Sequence, residues 1–321
     1  YLEEDYPEGS TYAAEVLERG WVRVYDSGHS THDDYLELEL EARTDNRGVW
    51  TPSDPARSEQ VRNRPVDRLY LPQAASVRTE GGTLPDDRAP VRAEPTAIRA
   101  DDSSAAGTPL VGLDESNNVA LVGSPLLAES YEIRENDYRV LSFVEDADPF
   151  WVNTAGYENF TFVTNLLRWL SDRDGSVLID CGHGQFGGSV DRFGGNYTLS
   201  PEDSRYFERH LEGIGINCEG IHDIAGNLNR DGFVDAQALV ISTPTRPFTD
   251  AELEALRSFQ ARGGAIVLLG SAEAPSEDRA LLNEVADAVG TDLRLGDDQV
   301  LDEANNLHGI ARLPTTGNTN P

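Results

Sequence analysis

The clearest hydrophobic pattern of this chain lies between residues 237 and 270. There an apolar run is followed by a turn rich in Thr and Pro, a helical pattern and a second apolar run. Leu253, Leu256 and Phe259 recur at helical spacing, and Thr249 precedes them as a candidate N-cap. Strand, helix and strand in this order predict a parallel crossover.

Strands and helices also alternate in the rest of the second half. The pattern predicts strands at 177–179, 216–221 and 293–301, and helices at 201–213 and 276–289. This order favours an α/β protein with a doubly wound, mostly parallel, flavodoxin-like sheet. Ligands of such sheets bind outside the carboxyl ends of the strands, so we expect a site there.

The pattern of the first half is weaker. A short helix is predicted at 11–19, and alternating residues at 21–25 and 35–40 predict half-buried antiparallel strands. Residues 44–108 are rich in Pro, Arg, Asp and Ser, which predicts irregular structure with short strands. We therefore expect residues 1–108 to form a β-rich, partly irregular region.

A hairpin, a strand at 138–144 and an amphipathic helix at 160–170 are predicted in the middle of the chain. The expected regions are 1–108, 109–175, 176–310 (the α/β domain) and 311–321 (a tail).

The composition indicates a protein adapted to high salt. The formal net charge is −31, and all 26 basic residues are arginine. Such a surface repels phosphate, which excludes nucleic acids and anionic membranes as partners, and concentrated salt screens its self-repulsion. No apolar run is long enough to span a bilayer.

Several features favour an extracellular or cell-surface location in a halophile, with the cytoplasm as the alternative. The chain begins at Tyr1 and contains no methionine, so we expect a signal peptide or anchor to be missing from it. Asn159 and Asn196 stand in glycosylation sequons. Two cysteines are too few for a disulfide framework.

The second half resembles the GIFT domain, a branch of the class I glutamine amidotransferase-like superfamily. The residues that carry this resemblance are 180–185, 239–244, 248–253, 263–267 and 297–306. They are structural signatures more than catalytic ones. Residues 138–150 and 165–170 resemble the closing strand, turn and helix of such domains. The resemblance therefore implies that residues 109–170 either end an earlier domain or complete the sheet of the second half in a circularly permuted domain, and we favour completion.

Amidotransferase-like enzymes carry a nucleophilic cysteine in a sharp turn after a strand, flanked by glycines. The corresponding turn in this chain is Ser-Thr-Pro-Thr-Arg at 242–246, which has neither cysteine nor glycine. The resemblance therefore implies a family fold without amidotransferase activity, and we expect a protein that is not an enzyme.

Polar residues follow several of the predicted strands and form a candidate ligand site. A sugar or another small polar ligand would suit a crevice lined by them, although they could also serve only to cap loops. The candidates are His183, Gln185, Asp223, Thr243, Arg246 and Glu273.

A zinc site is a further hypothesis. Two Cys and His pairs, with Cys-x-His and Cys-x3-His spacing, lie on or just after consecutive predicted strands and include the ligand types that zinc prefers: Cys181 and His183, and Cys218 and His222. The alternative is that the cysteines are small buried apolar residues or form one cross-strand disulfide.

Two loops could bind a cation. Residues 227–235 resemble the start of an EF-hand loop, with oxygen ligands at Asn227, Asn229, Asp231 and Asp235, but the carboxylate at position 12 is missing. His29 and His32, with the neighbouring acidic residues 26, 33 and 34, form a second candidate, for which an exposed acidic loop is the alternative.

These observations predict a non-enzymatic binding or structural protein without an obligatory cofactor, whose partner is a carbohydrate or a protein surface. One alternative is a hydrolase that uses His183 and nearby carboxylates. A second alternative is a subunit of an extracellular filament or surface layer, which would require self-association.

Overall fold

A seven-stranded, mostly parallel sheet flanked by helices forms the centre of the fold. The structure, a computed structural model, describes residues 11–24, 30–51, 64–127, 156–185, 198–199, 201–230, 233–307 and 309–317. The strands of these residues are β1 (Leu69–Tyr70), β2 (Ala75–Thr79), β3 (Val91–Arg92), β4 (Ile98–Arg99), β5 (Pro109–Asp114), β6 (Val119–Val122), β7 (Val177–Asp180), β8 (Cys218–Ile221), β9 (Ala238–Ser242), β10 (Ala265–Leu269), β11 (Leu293–Leu301), β12 (Asn306–Leu307) and β13 (Ile310–Thr316). The helices are α1 (Tyr12–Glu18), α2 (His32–Thr44), α3 (Asn159–Leu170), α4 (Pro201–Gly213), α5 (Ile224–Asn227), α6 (Asp250–Ala261) and α7 (Ser276–Ala288).

The order of the strands in the main sheet is β3-β5-β6-β10-β9-β7-β8. Neighbours from β6 to β8 are parallel, whereas β3 with β5 and β5 with β6 are antiparallel. Every residue of β6, β7, β9 and β10 is buried, as expected for parallel strands covered on both faces. The prediction of a mixed α/β fold with a mostly parallel sheet is confirmed.

The predicted crossover at 237–270 is confirmed as β9, α6 and β10. Thr249 caps α6, since its side chain accepts from the Glu252 backbone while the Glu252 side chain accepts from the Thr249 backbone. Leu253, Leu256 and Phe259 are buried beneath the helix. The local sequence therefore specifies where this helix begins and which face it buries.

The hairpin expected in the middle of the chain is also present, as β5 and β6. Asn118 completes its turn with φ +53°, a left-handed conformation that Asn tolerates better than most residues. β6 lies parallel to β10, with Ile266 opposite Val119, so a strand from before β7 extends the sheet of the second half. The strand predicted at 138–144 lies outside the described residues.

One prediction for the C-terminal part is wrong. The strand predicted at 293–301 is formed as β11, but it pairs antiparallel with β2 and β4 outside the main sheet. β6 already occupies the position beside β10, so β11 continues away from it. Residues 311–316 of the expected tail belong to β13, which lies between β1 and β12.

The strand predicted at 35–40 is part of the helix α2, and residues 21–24 form no strand. The alternation of Leu and Glu also places Leu36, Glu39 and Arg43 on one helical face, three and four residues apart. Leu36 and Glu39 are each only 2% exposed. A carboxylate can be buried at that position because a tertiary partner neutralises it, which the sequence pattern alone did not reveal.

That partner is Arg23, whose Nε lies 3.8 Å from Glu39, and it acts together with Arg43 of the same helix as Glu39. These residues belong to a charge network which attaches the N-terminal helices to the edge strand β8. Arg43 donates to Glu39 Oε1 at 2.8 Å and forms an ion pair with Glu219 of β8. Its guanidinium lies 4.3 Å from the ring centroid of Trp50. Burial and the nearby Glu39 raise the pKa of Glu219 to about 7, against the opposing effect of Arg43. The network covers a sheet edge that would otherwise be open to pairing.

Helices cover both faces of the main sheet. One hydrophobic core lies between the sheet and α3 and α4, and the other lies between the sheet and α2, α5, α6 and α7. Alternate residues of each strand contribute to the two cores; Leu239 faces one and Val240 the other. Within the described ranges, no helix combines the length and the apolar character needed to span a bilayer.

Candidate functional site

The loop that follows β7 packs against the turns after β8 and β9, at the carboxyl edge of the sheet. Gly182 lies so close to the His222 carbonyl that a Cβ would approach its oxygen to 2.1 Å. Gly184 has φ +84°, and a Cβ there would lie 2.0 Å from Thr245 Oγ1. The two glycines therefore allow a backbone path that brings His183 between them into the interior.

His183 is bound on one side by a fully buried carboxylate. Its Nδ1 lies 3.0 and 2.9 Å from the two oxygens of Asp180, which is 0% exposed. Gln185 strengthens this arrangement, because its Nε2 donates to Asp180 Oδ2 at 2.7 Å and its Oε1 accepts from the His183 backbone at 2.9 Å. The orientation of the imidazole is thus determined by hydrogen bonds within its own loop.

The other side of the ring faces α6. His183 Nε2 lies 3.4 Å from Glu252 Oε1. The ring stacks on Phe248, with centroids 3.7 Å apart and planes inclined by 16°. Glu252 is held by the capping box of α6, in which its Oε2 accepts from the backbone and the hydroxyl of Thr249. The helix cap therefore supplies the second carboxylate of an Asp–His–Glu chain.

The two carboxylates favour the charged imidazolium. Burial lowers the pKa of His183, but the hydrogen bond and charge of Asp180 and the charge of Glu252 outweigh this effect and raise it above 6.5. A cation between two carboxylates satisfies the buried Asp180 charge, which would otherwise be costly. The chain of three residues acts as an electrostatic link between the β7 loop and α6.

A histidine oriented by a carboxylate is the usual arrangement of a general base. Here both ring nitrogens face carboxylates, Phe248 covers one face of the ring, and His183 is only 4% exposed. At the turn after β9, Thr243 is fully buried and its hydroxyl donates to the Leu269 carbonyl at 3.3 Å. Both nitrogens and one face of the His183 ring are thus engaged within the fold.

The six ligand candidates do not form one open crevice. Gln185 and Thr243 are fully buried and, like His183, bonded within the fold. Asp223 is exposed and caps α5 by accepting from Gly226. Arg246 is exposed, and half-buried Glu273 lies 3.8 Å from Arg312. Asp180, Glu252 and Phe248 complete the cluster; the capping signature at Thr249 was the sequence signal for Glu252.

The cysteines cannot form a disulfide with each other in this fold. Both are buried and free. Cys218 pairs with Val177, four residues before Cys181, which separates them by about 13 Å along the strands. A disulfide needs Cα atoms about 4.4–6.8 Å apart. Nor do the described residues contain any group of three or more His, Cys, Asp or Glu side chains that could hold a metal, so the proposed zinc ligands do not assemble into one.

Described side chains of the EF-hand-like segment, residues 227–235, form hydrogen bonds within the fold. Asn227 lies in α5 and its Nδ2 donates to Asp33 Oδ2 at 2.9 Å, while Asn229 donates to the Ala225 carbonyl. Asp235 is exposed in a turn, and Asp231 lies outside the described residues. The described oxygens are therefore not arranged as a calcium loop.

The acidic stretch before α2 has a structural role through Asp33. Its carboxylate accepts from the backbone nitrogens of His222 and Asp223 at 3.0 and 2.9 Å, besides Asn227. Burial opposes the charge, but the His32 hydrogen bond and these backbone donors lower the pKa of Asp33 to about 2. The rings of His32 and His222 stack, with centroids 4.5 Å apart. His29 and Asp26 lie outside the described residues.

Of the two sequon asparagines, Asn196 lies outside the described residues. Asn159 begins α3 and is 4% exposed. Its Nδ2 donates to the carbonyls of Tyr70 and Leu126 at 2.9 and 3.1 Å. In the folded chain the nitrogen that would carry a glycan is therefore engaged in joining α3 to β1.

Comparison with known proteins gives distant structural similarity alone. No family model and no curated protein matches the chain. Three solved structures are similar: the IMPa metallopeptidase from Pseudomonas aeruginosa (12% identity, TM-score 0.36), IMPa from the same organism with an O-glycopeptide (14%, 0.30) and the IMPa metallopeptidase with T-antigen (13%, 0.30). Each match covers 89% of this chain and 26% of the other. The chain thus spans about a quarter of the length of these structures, and such low scores carry no conclusion about activity.

Proposed function

We propose that this protein is a non-enzymatic binding protein, with a carbohydrate or a protein surface as its partner. The observation that carries the proposal is the state of His183: a carboxylate faces each ring nitrogen, and the ring is 4% exposed. The most suggestive catalytic group at the carboxyl edge is thus part of the packing. The turn at 242–246, which lacks the amidotransferase cysteine, supports the same conclusion.

We also propose that this chain contains a GIFT-type domain with a doubly wound, flavodoxin-like sheet. Strands β8, β7, β9, β10 and β6 follow the flavodoxin-like order 2-1-3-4-5, and helices on both faces suit a doubly wound sheet. In this reading β6 supplies the fifth strand from earlier in the chain, which corresponds to a circular permutation of a GIFT-type domain. The resemblance of residues 239–244 and 248–253, which form β9 and the start of α6, supports this assignment.

We further propose that the protein works in concentrated salt outside the cell. A net charge of −31 without a single lysine is the support for the salt adaptation. The sequon at Asn196 supports the extracellular location.

A hydrolase remains the second candidate, because the Asp180–His183 pair has the geometry of an oriented general base. For it to act, Glu252 and Phe248 would have to move away from the ring. The two proposals therefore differ in whether the folded protein turns over any substrate.

Turnover by the folded protein decides between them. We would incubate the protein in molar KCl with panels of peptides, esters and oligosaccharides and follow cleavage by mass spectrometry. No cleavage is expected. Turnover that disappears in folded His183→Asn but survives in Asp34→Asn, a surface control, would establish the hydrolase instead.

A further inference from the structure

A cleft of about 900 Å³ lies beside α3 and the antiparallel strands β3 and β5, away from the carboxyl edge. This volume lies within the range of about 300–1,000 Å³ usual for small-molecule sites. Leu113 and Phe162 contribute apolar surface to its wall and are 9% and 4% exposed. Trp169 also lines the cleft but is 63% exposed, so its indole is available to a ligand.

The exposed charged residues of the cleft are carboxylates. Asp86, Asp87 and Glu115 all line it and are exposed. Arg64 and Arg168 also line it, but Arg64 lies 3.0 Å from the His210 ring and Arg168 is buried and pairs with Asp174 at 3.3 Å. Asn165 donates to the Arg64 carbonyl at 2.8 Å, which joins α3 to the opposite wall. The cleft therefore combines one exposed aromatic face with acceptors for hydroxyl donors.

From this combination we infer that the cleft binds a neutral oligosaccharide, an inference that rests on the proposed binding function and names its ligand class. A sugar ring presents an apolar C–H face, which fits the large flat indole of Trp169. Its hydroxyl groups are donors, and ionised carboxylates such as Asp87 and Glu115 are strong acceptors for them.

The carboxylates of the cleft disfavour negatively charged saccharides. Sulfated and uronic acid-containing saccharides would bring further negative charge beside Asp87 and Glu115 in a chain of net charge −31. Salt screens the repulsion between charges in direct contact less than it screens the long-range field of the protein. The cleft therefore favours uncharged sugars.

The same charge argues against a second copy of the chain as the occupant. An exposed tryptophan also suits a protein interface. Two copies joined through this cleft, however, would bring two sets of these carboxylates together, and like charges at an interface oppose association.

Calorimetric titration of the full chain in molar KCl tests the inference. The probes are neutral hexose and N-acetylhexosamine oligosaccharides, with uronate-containing oligosaccharides for comparison. We expect binding of at least one neutral oligosaccharide and an affinity at least about tenfold lower for Trp169→Ala. Trp21→Ala is the matched control: Trp21 follows α1, does not line the cleft, is 58% exposed and is stacked by Arg19, and its loss should leave the affinity unchanged.

A second variant, Asp87→Asn with Glu115→Gln, tests the role of charge. It should weaken binding of the neutral ligand several-fold and improve binding of uronate-containing oligosaccharides. Circular dichroism establishes that each variant is folded. Equal affinity of folded Trp169→Ala and wild type, or the absence of any neutral ligand for folded wild type, overturns the saccharide site.

Two further outcomes distinguish a failure of the saccharide site from a failure of the non-enzymatic binding function. Dimerisation that depends on Trp169, measured by light scattering, would identify a second copy as the occupant and overturn the saccharide site while leaving a binding function. Cleavage of a bound oligosaccharide, followed by mass spectrometry, would instead overturn the non-enzymatic function while leaving the site.

Discussion

The imidazole of His183 lies nearly parallel to the phenyl ring of Phe248, with 3.7 Å between the ring centroids. Phe248 precedes α6, and His183 belongs to the loop after β7, so the stack joins two carboxyl-edge segments that are distant in sequence. Asp180 and Glu252 lie on either side of the ring, each facing one of its nitrogens. The carboxyl edge is thereby closed around a buried imidazole.

Replacing His183 by Gln should lower the free energy of unfolding by about 3–5 kcal/mol, because it leaves the buried Asp180 without its cation. The pKa of His183 is higher in the folded than in the unfolded chain. Its stabilisation is therefore complete below about pH 6.5 and is lost as the pH rises through the folded value.

Denaturant unfolding at a series of pH values in molar KCl measures this effect. The decrease in stability above pH 6.5 that His183 contributes should be absent from His183→Gln. An identical pH dependence of the two proteins above pH 6.5 would contradict the role given to the imidazolium.

Replacing Asp33 by Ala should cost about 2–4 kcal/mol, because three donors on the β8 side lose a charged acceptor. Asp34→Ala is the control, since it removes the same charge from the same helical turn at an exposed position. The folded pKa of Asp33 is lowered from 3.8 to about 2. The contribution of Asp33 to stability should therefore be present above pH 3.8 and disappear as the pH falls towards 2. Equal stability of Asp33→Ala and Asp34→Ala at pH 7 would contradict this role of Asp33.

In the charge network at β8, Glu219→Gln should reduce the dependence of the free energy of unfolding on pH between 4.5 and 7. The pKa of Glu219 is raised from 4.5 to about 7, so wild type loses stability as the pH rises through this interval, and the variant should not. Above pH 7 the variant should be at least as stable as wild type, because Gln keeps an acceptor for Arg43 without the second buried charge.

Arg43→Ala provides the opposite case. It removes the cation that Glu39 and Glu219 share, leaving Arg23 at 3.8 Å from Glu39, and should cost about 3–5 kcal/mol at pH 8. Thermal unfolding of both variants at pH 5 and pH 8 checks these signs. If Glu219→Gln lost as much stability at pH 8 as Arg43→Ala, the negative charge of Glu219 would be stabilising in this network, which would contradict the prediction.

Gly184→Ala should destabilise the fold by about 2–4 kcal/mol, since the residue has φ +84° and its Cβ would overlap Thr245 Oγ1. Gly213→Ala is the matched control: it ends α4, a Cβ there meets nothing within 4 Å, and the change should stabilise by about 0.5–1 kcal/mol. Denaturant midpoints of both variants measure the difference. Equal midpoints would mean that the loop after β7 adapts without cost.

The amino-acid sequence by itself determined the elements whose signals are local. The capping box at Thr249, the apolar spacing of α6 and the runs of β9 and β10 were sufficient to predict the crossover, because each depends on residues within a few positions of one another. The turn between β5 and β6 was likewise readable from the polar residues that separate two apolar runs.

Only the tertiary structure decided which strands pair and which polar groups are buried. β6 rather than β11 lies beside β10, because strand pairing depends on contacts between distant segments. Glu39 is buried in a helix beside Arg43 and Arg23, and Arg43 in turn pairs with Glu219 of β8. His183 is enclosed because α6 brings Phe248 and Glu252 to it, and α3 and β5 together create the cleft at Trp169. These features arise between segments far apart in the chain, where local periodicity carries no information.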